Sequence, residues 1–326
     1  MAPPKSPRKG SLQFWPRKRV SKFLPSVNWK SINSGKNVKG FIGYKAGMFS
    51  VEVKDLTPNS MTKDKKIIIP STVIECPSMK IFSIRFYKNG KVAKDVLVEH
   101  IDKELKKRVK IPKQGKNVSE NLKAEDYEDV TVIAYSQVKK TNVKKRPDMT
   151  EIGLHGNMEE KLNFIKSHLN KEISIGEVFS QGELVDVRGL TTGKGFSGPV
   201  KRFGITLRAH KSEKGIRKVG SLGPWHPARV TFRAPMAGQM GMYTRVHYNQ
   251  KILSIAKAEE TDKQMKGIKN YGDIKTDYII VYGSVQGPAK RQVLVTSPLR
   301  PTKEQGKKIF EFIEVKKWNQ KYLNLK

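Results

Sequence analysis

Residues 188–251 read RGLTTGKGFSGPVKRFGITLRAHKSEKGIRKVGSLGPWHPARVTFRAPMAGQMGMYTRVHYNQK, and this stretch interrupts a series of expected β-strands. It holds 13 Lys and Arg, one acid (Glu213) and 10 of the chain's 26 glycines. No apolar period of 3.6 or 2 residues runs through it for long, so it has no single face to bury against a core. Loops longer than about 12–15 residues without secondary structure are uncommon, and they are usually functional or disordered.

Aromatic and methionine side chains are spread among the charges of this stretch, which argues against simple disorder. They are Phe196, Phe203, Trp225, Phe232, Met236, Met240, Met242, Tyr243 and Tyr248. A basic segment that contains aromatic rings fits an anionic partner that offers both charge and flat surfaces for stacking. RNA has both properties, and the stretch therefore predicts an RNA-binding segment.

The charge of the whole chain supports the same kind of partner. A net charge of +34 over 326 residues opposes folding of an isolated monomer by self-repulsion, unless a polyanion or salt neutralises it. Nucleic acid is the expected partner. An anionic membrane surface comes second, because the sequence shows neither a spanning apolar run nor a long amphipathic basic helix. The N-terminus has no apolar signal-peptide core, which predicts a cytoplasmic protein.

The first 51 residues contain 11 Lys and Arg and no acid. We expect residues 1–28 to be disordered when free in solution. Two interpretations stay open for them. They are a solvated tail, or an arm that threads into folded RNA and so covers the exposed pair Phe14 and Trp15 beside Arg17, Lys18 and Arg19.

Short alternating or β-branched segments without helical periods between them predict a mainly β fold with a small closed barrel. The expected strands lie at 40–48, 66–70, 71–75, 79–87, 130–135, 173–179, 184–187, 252–256, 277–283, 292–296 and 308–315. Asn89-Gly90 predicts a two-residue hairpin turn. One helix is expected from Met158 to Leu169, with Asn157 as its cap. Cys76 is expected at a buried strand end, and as the only cysteine it excludes an intramolecular disulfide.

Composition divides the chain into segments. Residues 76–174 hold 14 of the 30 acids, which predicts an inserted α/β subdomain that faces solvent. Its Lys-rich runs at 106–116 and 139–146 are either solvated faces or peripheral RNA contacts. The other expected segments are a basic N-terminal extension (1–36), barrel strands (37–75 and 175–187), a long basic RNA-binding loop (188–251), and barrel strands with a C-terminal tail (252–326).

The run Gly193–Gly198 matches the pattern G-x-G-x-x-G and follows an expected strand. A dinucleotide site needs a helix that opens at the last glycine, and the residues after Gly198 show no helical period. A Walker A phosphate loop is excluded because the run from Gly189 to Lys194 is one residue short. The remaining use is the close approach of backbone amides to a phosphate, with Lys194 as a point charge.

The segment from Gly223 to Arg229 predicts a turn that presents Trp225 to solvent, because two prolines stiffen the chain around it. The alternative is that Trp225 caps a minor core. The six histidines show no HxH or HxxxH spacing, so His226 is not expected to bind a metal or act as a base. Asp186 is expected to pair with Arg188 or a nearby lysine. We predict no catalytic site, metal, cofactor or small-molecule substrate.

Five motifs, taken in order, resemble the large-subunit ribosomal protein L-three family. They are Gly43–Met48, Val187–Gly198, Val200–Gly204, Gly223–Ala228 and Gly283–Arg291. The resemblance covers nearly the whole chain, and the motifs are specific together although each is weak alone. The N-terminal arm and the insert are similar to the archaeal and eukaryotic branch, and the short length favours the archaeal type. The run Ala209–Lys214 departs from the family's usual basic turn, so no role is carried over to His210.

The resemblance implies a six-stranded closed barrel of the translation-protein type, an inserted α/β subdomain and two extensions that run into large-subunit rRNA. It implies that the loop tip, at Trp225, approaches the peptidyl transferase centre and the path of incoming aminoacyl-tRNA. It also implies a role in early subunit assembly near the 3′ end of the rRNA, with ribosomal protein L-fourteen as a neighbour.

The residues and the resemblance together predict a structural constituent of the large ribosomal subunit, with mostly cationic rRNA-binding side chains. These are Trp15, Arg17, Lys18, Arg19, Lys45, Arg188, Lys194, Lys201, Arg202, Arg217, Lys218, Trp225, His226, Arg229, Arg233, Arg245, Lys290 and Arg291. The alternative is a ribosome assembly factor or RNA-modifying enzyme that uses a barrel as an RNA clamp. A membrane-surface protein is a third hypothesis.

Overall fold

The computed structural model describes residues 7–112, 127–141, 143–257 and 265–316, and this part of the chain is mainly β with few helices. The elements are β1 (Gly40–Asp55), β2 (Lys66–Glu75), β3 (Met79–Lys88), β4 (Lys91–Leu97), β5 (Asp129–Ser136), β6 (Met149–Gly153), α1 (Met158–His168), α2 (Ile175–Val178), β7 (Leu184–Leu190), β8 (Phe196–Ser197), α3 (Pro199–Phe203), β9 (Gly238–Gln239), β10 (Thr244–Ala256), β11 (Tyr278–Tyr282), β12 (Gln292–Thr296), α4 (Lys303–Lys307) and β13 (Phe310–Lys316). The predicted mainly β class is confirmed.

The largest sheet is organised around β1. Its strand order is β12-β7-β10-β11-β2-β1-β13, and β12 also pairs with β1. On one side β1 pairs with β2; on the other its first half pairs with β12 and its second half with β13. A register shift between Lys45 and Gly47 bends β1. Six strands (β12, β7, β10, β11, β2 and β1) therefore follow one another in a ring of pairings.

The larger of two buried apolar clusters lies between this sheet and a second one; the smaller is formed by residues of the large sheet and of 265–274. The first seven residues of β1 and the whole of β12 are buried, which means that both of their faces are covered. One apolar cluster joins Ile42 and Val293 of the large sheet to Ile84, Val132 and Ile165 of the second sheet and its helix. Each fully buried aliphatic side chain stabilises the fold by roughly 1.5–3 kcal/mol.

The second sheet has the order β4-β3-β5-β6. Its β3–β4 hairpin turns at Asn89 and Gly90, whose φ angles of 50° and 70° suit the predicted two-residue turn. The predicted helix is confirmed as α1, whose first turn is closed by the N–H of Asn157 donating to the Glu160 carboxylate at 3.1 Å. Cys76 is buried directly after β2, as predicted, and burial raises its thiol pKa.

Several local predictions were wrong. The predicted strand at 173–179 contains the helical turn α2, whose Ser174–Glu177 pair is a capping box. Residues 199–203 form α3, where the sequence shows no helical period, because a one-turn helix with Pro at its first position is too short to show one. Strands β4 and β6 were not predicted, and β10 begins at Thr244, eight residues before the predicted strand.

The described residues form two compact units. One contains residues 7–22 and 190–244; the other contains residues 23–189 and 245–316 as far as they are described. The basic stretch of 188–251 therefore contributes its first two and its last seven residues to the second unit. No helix in the described part of the chain is long and apolar enough to cross a membrane.

Candidate nucleic-acid interface

The two ends of the basic stretch come from neighbouring strands, because β7 leads into it and β10 leads out of it. Beyond these strands the two limbs stay hydrogen-bonded: Lys194 N–H donates to Met240 O at 2.9 Å, and Met240 N–H donates to Gly195 O at 2.8 Å. Strands β8 and β9 continue this pairing. A Cβ on Gly241 would stand 2.0 Å from Thr192 O, so only glycine lets the limbs approach this closely. The stretch thus has a paired stem, contrary to our expectation of a long loop without its own secondary structure.

The tip of the stretch is open to solvent. All residues from 221 to 233 are exposed, and Trp225 retains 87% of its accessible surface. The predicted outward turn at Trp225 is confirmed, and the alternative of a minor core is wrong. Arg217, Lys218 and Arg229 are exposed, and none of their side-chain nitrogens has a hydrogen bond or ion pair within the described residues. Glu213 is the only acid between residues 190 and 244. The tip and the residues just before it therefore carry three cations without a hydrogen bond or ion pair in the described protein, and the tip carries the exposed ring of Trp225.

Arg202 behaves differently from the cations at the tip. Its Nε donates to Gln239 O at 2.9 Å, its Nη1 to Met236 O at 2.9 Å and its Nη2 to Arg17 O at 3.0 Å. Arg17 reciprocates through Nη1, which donates to Arg202 O at 3.1 Å. A guanidinium presents several donors in a fixed planar fork, so one side chain can satisfy three carbonyl groups at once. Arg202 thereby joins the N-terminal arm to the returning limb.

The aromatic residue of the N-terminal arm packs within the same unit. The Trp15 ring stacks on Phe203 with a centroid distance of 5.9 Å and meets the edge of Phe232 at 5.7 Å. The guanidinium of Arg17 lies over Phe203, 4.4 Å from the ring centroid. We expected the Phe14–Trp15 pair to require a partner that covers it, and the rings of Phe203 and Phe232 cover part of Trp15. Phe14 keeps 47% of its surface exposed.

Five predicted RNA-binding residues lie in the second unit, and three of them bind the protein itself. Lys45 is buried, its ammonium donates to Val285 O and Gly287 O, and burial lowers its pKa. Arg188 donates to the Thr296 hydroxyl at 3.2 Å, and burial lowers its pKa although Asp186 opposes this. The Arg291 guanidinium lies over Phe23, 5.5 Å from the ring centroid, and burial lowers its pKa too. Arg245 is half-buried, and Lys290 is exposed.

Asp186 was predicted to pair with Arg188 or a lysine. The ion pair with Arg188 is confirmed but long, at 3.9 Å. The closer partners of this fully buried carboxylate are two backbone groups: Asn249 N–H and Leu299 N–H each donate to it at 2.9 Å. Asp186 thus satisfies backbone donors at the edge of β10, a role that sequence spacing does not reveal.

The exposed cations among the predicted residues are Lys18, Arg19, Lys194, Lys201, Arg217, Lys218, Arg229, Arg233 and Lys290. The structure brings Lys194, Lys201 and Arg217 to one pocket, although as many as 23 positions separate them in the chain. Phe196, which we did not predict as an RNA-binding residue, forms a wall of that pocket and is 81% exposed. An aromatic residue inside a Gly- and Lys-rich run was the signal that could have identified it.

The run Gly193–Gly198 is followed by α3, so our argument from a missing helix against a dinucleotide site was wrong at this point. The helix is only five residues long, however, and its first residue is a proline without an N–H group. Within the described ranges, no group of three or more His, Cys, Asp or Glu side chains is arranged to hold a metal ion.

Comparison with known proteins identifies the family to which this chain is similar. The family described as "Ribosomal protein L3" matches residues 1–318. A protein named "Large ribosomal subunit protein uL3" from Archaeoglobus fulgidus is 42% identical over 309 residues, which cover 91% of this chain and 93% of the relative. The proteins of the same name from Methanocaldococcus jannaschii and Methanobrevibacter smithii are 38% and 40% identical, each over 90% of this chain and 92% of its own length.

These matches confirm the predicted resemblance, including its archaeal type. The family consists of structural ribosomal proteins, which are RNA-binding components of the translation machinery and not enzymes. The alternative of an RNA-modifying enzyme is therefore removed. The chain belongs to the ribosomal protein L3 family.

Proposed function

We propose that this chain is a structural constituent of the large ribosomal subunit that binds large-subunit rRNA through its N-terminal arm and its basic stretch. The observation that carries this proposal is the fully exposed tip, residues 221–233, which contains Arg229 and follows Arg217 and Lys218; the side chains of these three cations have no hydrogen bond or ion pair within the described residues. Exposed cations that the protein does not pair are available to neutralise phosphates and release counterions. The names of the archaeal relatives support placement in the large subunit of the cytoplasmic ribosome.

We further propose that the tip reaches toward the peptidyl transferase centre, with Trp225 stacking on or wedging between nucleotides. The 87% exposed ring supports this, because an indole held on an open turn has no protein surface to cover it. Stacking of a base on an aromatic side chain contributes about 1–3 kcal/mol in single-strand binders.

The remaining parts of the chain have supporting roles in this proposal. The ring of six pairings supports a closed six-stranded barrel, with strands from residues 37–75, 175–187 and 252–326, the last of which also includes the C-terminal tail. Residues 76–174 form an inserted subdomain, and residues 1–36 and 188–251 are the two basic extensions. The protein acts early in subunit assembly near the 3′ end of the rRNA, beside ribosomal protein L-fourteen.

Trp225→Ala separates the role of the tip from overall RNA affinity. We expect the affinity of the full chain for an rRNA fragment to fall by no more than the loss of one stacked base, about 5- to 150-fold, and the salt slope to stay unchanged, because the cations remain. Subunits assembled with the variant should show altered tRNA accommodation. Leu222→Ala is the matched control, since Leu222 is also apolar and 50% exposed on the same tip but has no ring. Loss of all rRNA binding in the Trp225 variant would contradict this assignment.

Salt dependence tests the role of the cations. The triple change Arg217→Gln, Lys218→Gln and Arg229→Gln should weaken rRNA binding. It should also flatten the plot of log affinity against log salt by about 0.7–0.9 for each phosphate that is no longer neutralised. Binding constants measured between low and high salt give this slope. An unchanged affinity and slope would show that these three cations do not bind phosphates.

A further inference from the structure

A small pocket lies beside the glycine-rich run, within the unit of residues 7–22 and 190–244. It has a volume of about 320 Å³ and is lined by Lys194, Phe196, Ser197, Gly198, Val200, Lys201 and Arg217. Three of its seven lining residues are cations, and none is a carboxylate. No hydrogen bond or ion pair involves the side chains of Lys194, Lys201 and Arg217 in the described part of the chain. Like charges that share a pocket repel one another, so the arrangement favours a bound anion.

One wall of the pocket is the aromatic ring of Phe196, which faces outward. Phe196 stands on β8, next to the buried Ser197, and β8 is paired with β9. Alternate residues of a strand point to opposite faces, so burial of Ser197 places Phe196 outward. Its ring is 81% exposed, although a phenylalanine on a loop could fold against the protein.

The backbone beneath the pocket is fixed. The Ser197 hydroxyl donates to Lys194 O at 3.3 Å, and the Lys194 and Met240 amides are both hydrogen-bonded between the limbs of the stem. Lys201 stands on α3, which ends at Gly204 with a left-handed φ of 67°. The aromatic wall and two of the cations are therefore held on paired or helical backbone rather than on the open tip.

We propose that this pocket binds one unpaired nucleotide of a single-stranded rRNA segment, with its phosphate among Lys194, Lys201 and Arg217 and its base stacked on Phe196. The inference rests on the proposed rRNA binding and adds the class of nucleotide that this site takes. A duplex keeps its bases stacked inside the helix and offers phosphates, 2′-hydroxyls and base edges, but no free base face for stacking. An aromatic wall beside three cations therefore favours an unstacked, unpaired base over a duplex, whereas cations alone would bind both.

The test uses the full chain and two probes: a single-stranded RNA of about 12 nucleotides, which is near the site sizes of single-strand binders, and a duplex RNA of the same length. Phe196→Leu should weaken binding of the single strand about 5- to 150-fold, as loss of one stacked base does in single-strand binders. It should leave duplex binding unchanged. Phe196→Tyr should retain the single-strand affinity, because it keeps a ring for stacking.

Two lysine variants test the phosphate part of the pocket. Lys201→Gln should weaken binding of the single strand and reduce its salt slope by about 0.7. Lys211→Gln is the matched control, because Lys211 is exposed on the same unit but lies outside the pocket. Its effect on single-strand affinity should be smaller than that of Lys201→Gln.

The outcomes distinguish this proposal from the general one. If Phe196→Leu leaves the single-strand affinity unchanged, or weakens single strand and duplex equally, the nucleotide pocket is refuted while rRNA binding stands. Equal effects of Lys201→Gln and Lys211→Gln refute it in the same way. If the wild-type chain binds neither RNA with a salt-dependent affinity, the proposed function itself fails.

Discussion

Arg202→Lys is the sharpest test of how the basic stretch is ordered. The guanidinium of Arg202 donates three hydrogen bonds to the carbonyl groups of Gln239, Met236 and Arg17. Lysine keeps the charge but has one nitrogen, which cannot replace the planar fork, so about two of these bonds are removed. Hydrogen bonds to charged groups contribute roughly 1.5–3 kcal/mol each, and half-exposure of Arg202 favours the low end. We expect a loss of about 2–3 kcal/mol in local stability, or about 30- to 150-fold in the local opening equilibrium.

Amide hydrogen exchange on the RNA-free full chain measures this opening. The reporting amides are those of Lys194 and Met240, which are hydrogen-bonded between the two limbs of the stem. Both should exchange faster by the expected factor in Arg202→Lys. Lys201→Gln is the matched control: it removes the adjacent cation, which is exposed and has no hydrogen bond within the described residues. It should leave both exchange rates unchanged.

Two results would refute this reasoning. If both amides exchange at the unprotected rate already in the wild type, the stem has no stable shape without RNA, and Arg202 orders nothing. If Arg202→Lys and Lys201→Gln change the two rates equally, the effect is a general perturbation of this segment rather than the loss of hydrogen bonds from the Arg202 guanidinium to the three carbonyl groups.

Three further predictions concern the stability of the protein. Gly241→Ala should lower the free energy of unfolding by about 2–4 kcal/mol, because the new Cβ would lie 2.0 Å from Thr192 O and the residue has a positive φ. Thermal or denaturant unfolding measures this change. Gly220→Ala is the control, since a Cβ at Gly220 has no atom within 4 Å. Asp186→Asn should lower the free energy of unfolding by about 2–4 kcal/mol, as measured by denaturant unfolding. The buried carboxylate accepts hydrogen bonds from two backbone N–H groups, and the amide of asparagine has only one oxygen to accept them. Burial acts to raise the pKa of Asp55, but hydrogen bonds from neighbouring Thr and Ser groups outweigh it and lower the pKa. A carboxyl whose pKa is lowered by folding stabilises the fold at pH values above its unfolded-state pKa of about 3.9. The free energy of unfolding should therefore fall as the pH drops from about 5 to 2. The fall should be smaller in Asp55→Asn, which has no carboxyl at this position.

The sequence predicted the strands with strong local signals and missed those without them. The hairpin at Asn89-Gly90 and the helix starting at Met158 were predicted because turn chemistry and apolar spacing are local properties. Strands β4 and β6 were missed because their burial depends on the partner strands β3 and β5. The run at 173–179 was assigned to a strand because its β-branched residues outweighed the capping box at Ser174.

The candidate site was predictable in its chemistry but not in its arrangement. A Gly-rich, basic and aromatic stretch indicates an RNA-binding segment from composition alone. Composition does not distinguish cations that face solvent from cations that donate hydrogen bonds to the protein's own backbone. Lys45 and Arg202 have the same side-chain chemistry as Lys194 and Arg217, yet their donors are occupied by backbone carbonyls.

The sequence by itself determined the class of fold, the anionic partner and the family, because charge, strand pattern and ordered motifs are properties of the chain and need no coordinates. Tertiary structure alone decided that Phe196 shares a pocket with Lys201 and Arg217, and that the arm is joined to the returning limb through Arg17 and Arg202. The physical reason is that hydrogen bonds and pockets depend on distances between atoms far apart in the chain. Backbone pairing between the two limbs sets those distances, and no local pattern encodes them.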